Sequence, residues 1–177
     1  GAGEDGPGEN GGLTMVFAID PGNVYSGWCV LNLATYEPLA FGKDENGDVL
    51  RALQAWADET DAVAIERLQN FGMPVGRTVL ETCEWVGRFT QAAEAAGLPV
   101  DYVYRTEEKI NLCHSSKAND ATIRQALVDR FAYGTGNGGK GTKKEPGWFY
   151  GFRADIWQAY AVGVTWLDRY RREEICI

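Results

Sequence analysis

A chain of 177 residues has room for one domain with a sizeable core, and its formal net charge of −8 weighs against nucleic acid as a partner unless the charge is unevenly spread. It holds no apolar run of the roughly 18 residues that a membrane span needs, and no charged-then-apolar leader. Widely separated Cys29, Cys83, Cys113 and Cys176 exclude a zinc ribbon or disulfide scaffold and fit reduced thiols in the cytoplasm, while a single histidine, His114, excludes His-based triads.

Gly1 to Gly12 offers nothing to bury; residues 1–14 read as a disordered tail or cloning remnant, with Met15 a natural start and residues 15–177 a single domain. Met15 to Asp20 is a short apolar run closed by an acid. Pro21-Gly22-Asn23 is strong turn chemistry, and Ser26 to Ala34 returns as a second strand. Pro38 to Gly42 reads as the end of a third strand, so the first three make an antiparallel meander. A helix follows Asn46-Gly47-Asp48, with Val49, Leu50, Leu53 and Trp56 at helical spacing. Asp61 to Glu66 repeats the opening design, an apolar strand ending in an acid. Arg67 to Gly76 is a loop, in which Phe71 and Met73 read as buried anchors or as a surface wedge. Arg77 to Ala96 is a long helix carrying Leu80, Cys83, Val86, Phe89 and Ala93 three or four apart, stopped by Gly97. Leu98 to Tyr104 is the fifth strand and Thr106 to Ile110 a capped helical turn. Asn119-Asp120 starts a helix with Ile123, Leu127 and Phe131 on one face. Ala132 to Gly151, rich in Gly and Lys, is too long for a plain connector and is expected to be functional or mobile. Arg153 to Tyr170 closes the chain as an apolar helix whose polar exceptions are Asp155 and Gln158.

Three strands, then alternating helices and strands, predict an α/β fold: a mixed five-stranded sheet, antiparallel meander plus parallel strands, flanked by helices, the arrangement of an RNase H-like fold. The charge is unevenly spread along it. Residues 37–66 carry eight acids and two bases, whereas residues 105–155 carry nine bases and six acids, with Lys140, Lys143 and Lys144 grouped in the long loop. One end can therefore attract phosphate while the whole stays acidic, although solvated surface charge explains the same pattern.

If the strands ending in Asp20 and Glu66 lie parallel and adjacent, at roughly 5 Å spacing, their acids meet and can share a divalent metal. Asp155, in the first turn of the last helix, can supply a third ligand. Each acid has a plainer explanation: Asp20 bonding its own turn, Glu66 a solvated strand end, Asp155 a dipole-favoured helix start.

Ala18-Ile19-Asp20-Pro21-Gly22 with Ser26-Gly27, then Val63 to Glu66, Gly76 to Phe89, Lys117 ahead of a helix ending at Phe131, and Ala154-Asp155 with Gln158 to Thr165 together resemble the RuvC-like Holliday-junction resolvases, in particular the compact bacteriophage forms. The resemblance spans about Met15 to Tyr170. It implies an RNase H-like nuclease that binds Mg²⁺ or Mn²⁺ and cuts branched DNA such as four-way junctions, usually as a homodimer. Carried over by position, Asp20, Glu66 and Asp155 would be the metal ligands and Lys117 the basic residue nearest the phosphate. Phe71 and Met73 would wedge at the branch point, and Lys140, Lys143 and Lys144 would clamp the backbone of a second arm. The helix from Arg77 to Ala96, with Gly87, is the candidate dimer surface. Gln158 departs from the pattern, since related enzymes often carry an acid or histidine there.

Three other readings compete, one of which keeps catalysis but changes the substrate to flaps, replication forks or RNA-containing duplexes. A non-catalytic branched-DNA binder that kept the fold is favoured by Gln158 and the acidic balance. An actin-like or sugar-kinase phosphotransferase shares the opening strand but needs a second domain and phosphate loop, for which this chain offers no candidate.

Overall fold

The computed structural model describes residues 14–176. The expected tail lies outside them apart from Thr14, whose backbone N–H and hydroxyl both donate to Asp61. The elements are β1 (Met15–Asp20), β2 (Tyr25–Asn32), β3 (Pro38–Glu45), α1 (Asn46–Trp56), β4 (Ala62–Arg67), α2 (Arg77–Ala95), β5 (Val100–Tyr104), α3 (Arg105–Cys113), α4 (Asp120–Phe131) and α5 (Ile156–Ile175). They form one mixed sheet in the order β3-β2-β1-β4-β5. β1 runs antiparallel to β2 and parallel to β4, while β4 runs parallel to β5.

Period-two alternation assigns the two faces. Val16 and Ala18 of β1, Cys29 and Leu31 of β2, and Ala62 and Ala64 of β4 pack against α5. Phe17, Ile19, Val30, Val63 and Ile65 point the other way, onto Val49 and Leu53 of α1 and Phe89 and Ala93 of α2. With both faces covered, β1 and β4 are continuously apolar, as parallel central strands are. From Ile156 to Leu167 α5 is buried all round, because the sheet lies on one side and α4 and the long loop on the other. It approaches closely at Gly163, where an added Cβ would meet Leu31 Cδ1 at 2.5 Å.

Several boundaries differ from the sequence reading. β3 continues past Gly42 to Glu45, the Thr106 turn grows into a full helix, and α5 begins after Asp155 rather than at Arg153. Ala154, at φ +45°, is left-handed and cannot belong to that helix; such a conformation costs a non-glycine residue about 1–2 kcal/mol. On α2, Leu80 and Cys83 are exposed and the inward face is Thr82, Phe89 and Ala93, the first turns having no sheet beneath them to pack on.

The long loop between α4 and α5 is folded rather than slack. Thr142 N–H donates to the Glu145 carbonyl at 3.0 Å, Gly147 N–H to the Lys140 carbonyl at 2.9 Å and Phe149 N–H to the Gly139 carbonyl at 3.1 Å. Gly141, at φ +66°, has no room for a Cβ, which would sit 2.4 Å from the Glu145 carbonyl oxygen. Phe149 is fully buried against Trp157 and Tyr160, and Trp148 donates its indole N–H to Tyr160 at 3.0 Å.

Asp168 ties four elements together. It accepts from the Tyr36 hydroxyl at 2.6 Å, from Asn111 at 2.8 Å and from both terminal nitrogens of Arg130 at 2.8 and 2.9 Å. Burial pushes its pKa up, but these hydrogen bonds outweigh burial and hold it below the ordinary carboxylate range. A depressed folded pKa contributes stability above the unfolded value and loses it as pH falls through the folded one. Asp168→Ala is therefore expected to cost about 3 kcal/mol near neutral pH, with the gap to wild type narrowing in acid. Thermal melts across pH 3–8 measure this, and an unchanged gap at low pH would exclude the ion-pair account.

Candidate active site

The site forms where β1 and β4 end side by side. Parallel register pairs Ile19 with Ile65, so Asp20 and Glu66 follow as neighbours. Asp20 lies two residues beyond Ala18 and Glu66 two beyond Ala64, so both acids point toward α5. The turn after Asp20 is closed by other groups. Gly22 N–H donates to Ser26 Oγ at 3.0 Å, the Ser26 hydroxyl donates to Asn46 Oδ1 at 2.5 Å, and Asn46 Nδ2 donates back to the Gly22 carbonyl at 2.9 Å. Asp20 is left to face Glu66.

Asp155 is the residue just before α5, not part of its first turn, and its side chain does not cap the helix. It pairs with Lys43 Nζ of β3 at 2.9 Å. Gly27 lies against it: a Cβ there would be 2.4 Å from the Asp155 carbonyl oxygen. Asp155 acts on Asp20 through its charge.

Two residues that sequence reasoning did not single out complete the cluster. Arg105, the first residue of α3, hydrogen-bonds Gln158 Oε1 and pairs with Asp120, and its Nη1 lies 3.6 Å from Glu66 Oε1 and 3.7 Å from Glu108 Oε1. Glu108 is fully buried on the same helix, beside Glu66. The available signal was helical spacing, since Glu108 lies four residues before Leu112, which packs on the core. Lys43 was likewise legible as two residues beyond Phe41, on the α5 side of β3.

Electrostatically the cluster is short of positive charge. Asp20, Glu66, Glu108 and Asp155 are opposed by Arg105, itself shared with Asp120, and Lys43. Burial first, then the Glu66 carboxylate, push the Asp20 pKa well above the ordinary range; Asp155 adds to this and Arg105 offsets part. Burial and Glu66 raise Glu108 likewise. Glu66 Oε1 and both Glu108 oxygens are buried without a hydrogen-bond partner. Such hard oxygen donors fit Mg²⁺ or Mn²⁺. Among the described residues, no group of three or more His, Cys, Asp or Glu side chains stands in a geometry that could hold a metal ion, so these acids would have to draw together to bind one.

Lys117 is exposed between α3 and α4, its backbone N–H donating to Ser115 Oγ at 3.2 Å. Lys143 and Lys144 are exposed and Lys140 half-buried in the folded loop, and none of these lysines forms an ion pair among the described residues. Phe71 and Met73 are 75% and 71% exposed, which overturns the buried-anchor reading: the loop runs out from the end of β4 with nothing above it. With Leu68, Val75, Leu80 and Cys83 they line an apolar groove of about 340 Å³ beside Glu66.

Sheet order and helix placement give an RNase H-like fold, the one found in RuvC. Thermus thermophilus RuvC superposes with a TM-score of 0.67 at 17% identity, over 90% of this chain and 96% of that one. T. thermophilus RuvC in complex with Holliday junction substrate gives 0.65 at 17% identity over the same shares. At this identity the likeness establishes the fold. No protein-family model matches the sequence, and no curated protein matches it. Among the described residues, no helix is long and apolar enough to cross a membrane.

Proposed function

We propose that the chain is a divalent-metal-dependent, structure-specific endodeoxyribonuclease that cuts Holliday junctions or other branched DNA. One observation carries this: the surplus of buried carboxylate, with unpartnered oxygens, where β1 and β4 end together. The RuvC fold, known in complex with a Holliday junction substrate, supports branched DNA as the partner.

Asp20, Glu66 and Asp155 would hold Mg²⁺ or Mn²⁺. When bound, a pair of such ions acidifies an attacking water and offsets charge on the departing 3′ oxygen of the phosphodiester. The protein's own part is positional. Paired strand ends fix Asp20 and Glu66, and Lys43 steers the Asp155 carboxylate. Lys117 and the loop lysines Lys140, Lys143 and Lys144 would meet backbone phosphates. A homodimer through α2 is supported by exposed Val79, Leu80 and Cys83 and by open space around Gly87.

The test is cleavage of labelled four-way junction, fork and linear duplex in Mg²⁺ and in EDTA. Junction cleavage in Mg²⁺ alone is expected; binding without cleavage in either divalent metal would establish the non-catalytic DNA binder instead. The exposed wedge makes its own prediction. Phe71→Ala is expected to lower junction affinity about tenfold, the worth of one base stack, with an unchanged melting temperature. A fall in melting temperature without loss of junction binding would make Phe71 a structural residue.

A further inference from the structure

We propose that Glu108 is a fourth carboxylate ligand of this centre, supplied from α3, in a chain whose α5 position offers only Gln158. The inference rests on reading the site as a divalent-metal centre and adds a residue to it.

The topology delivers Glu108 there. β5 lies parallel to β4 with Glu66 opposite Val103, and α3 starts directly after Tyr104, so its first turn stands beside the Glu66 side chain. Glu108 is fully buried, yet neither carboxylate oxygen has a hydrogen-bond partner. An ionised carboxylate is acceptor-only and needs donors or a cation on both oxygens.

Arg105 does not fill the gap. Its Nη1 lies 3.6 and 3.7 Å from Glu66 Oε1 and Glu108 Oε1, beyond hydrogen-bond distance; that nitrogen bonds Gln158 instead, and Nη2 pairs with Asp120. The guanidinium is therefore a positioning group: it partly neutralises the acids while held off them. Gln158 Oε1 is committed to Arg105 and is unavailable as a ligand. What remains facing the acids is a set of bare, hard oxygens from two elements, Glu66 of β4 and Glu108 of α3, beside Asp20 of β1.

The experiment titrates Mn²⁺ into metal-free full-length protein by calorimetry, with thermal melts in Mn²⁺ and in EDTA. Wild type, Asp20→Asn, Glu108→Gln and Glu108→Asp are compared. Glu108→Gln is expected to weaken at least one Mn²⁺ site tenfold or more and to shrink the melting-temperature rise that Mn²⁺ produces. In EDTA it should melt at or above the wild-type temperature, because a buried charge has gone. Glu108→Asp keeps the charge on a shorter arm and should bind with intermediate affinity. Wild-type Mn²⁺ affinity in both Glu108 variants, with Asp20→Asn impaired, overturns the Glu108 assignment and leaves the metal centre standing. Wild-type protein that takes up no Mn²⁺ overturns both.

Discussion

Asp20→Asn is expected to bind a four-way junction as wild type does, to cut it at least about 10³-fold more slowly, and to melt higher in metal-free buffer. The rate loss follows from removing a ligand from the centre on which transition-state charge depends. The gain in stability follows from burial. Asp20 has a raised folded pKa, from desolvation first and Glu66 second. Stability contributed by a group with a raised pKa is present below the ordinary carboxylate range and is lost as pH rises through the folded value. Wild type in EDTA should therefore soften as pH rises above about 4, and Asp20→Asn should soften less, with Glu108 the raised carboxyl that remains. At pH 8 the variant is expected to melt above wild type. Melts with and without EDTA, beside single-turnover cleavage, measure both effects; a variant less stable than wild type throughout would mean that Asp20 is a structural acceptor.

The second large effect comes from a residue with no side chain. Gly27→Ala places a Cβ 2.4 Å from the Asp155 carbonyl oxygen and 3.0 Å from its Cβ, contacts that backbone cannot absorb without moving. Either β2 or the start of α5 must shift, taking Asp155 away from Asp20 and Glu66. A displacement of about 1 Å in a catalytic group costs on the order of 100-fold in rate, and overpacking costs about 1–3 kcal/mol. Cleavage should thus fall about 100-fold in a protein that still folds and binds junctions. Full activity in Gly27→Ala would show that Asp155 need not hold its place for the reaction.

Much of this architecture was legible in advance because it is written in local periods. The alternation in Met15 to Asp20, its repetition in Ala62 to Glu66, and Pro21-Gly22-Asn23 between two apolar runs gave the strands, the meander and the acids at strand ends. What escaped was set by tertiary placement. Glu108 reads as an ordinary acid in a helix's first turn until β5 carries that turn against Glu66. Lys43 was cut off by ending β3 at Gly42. The left-handed Ala154 moved the start of α5, and with it Asp155, by an amount that no helical period records. Leu80 and Cys83 keep the spacing of a buried face, but the sheet ends before reaching them. Phe71 and Met73 looked like anchors for the same reason: an apolar residue does not declare whether anything lies above it.

Trp148 and Phe149 fasten the lysine loop to the aromatic cluster that also seats α5, and backbone bonds close the loop on itself. Lys140, Lys143 and Lys144 therefore sit at a set spacing from the acids, like marks on a ruler, and do not sweep on a flexible arm. A nucleic acid that touches both must bring its phosphates to that spacing by deforming itself. On the proposed function, the stiffness of the duplex, relaxed where strands exchange, would then be the quantity that is measured.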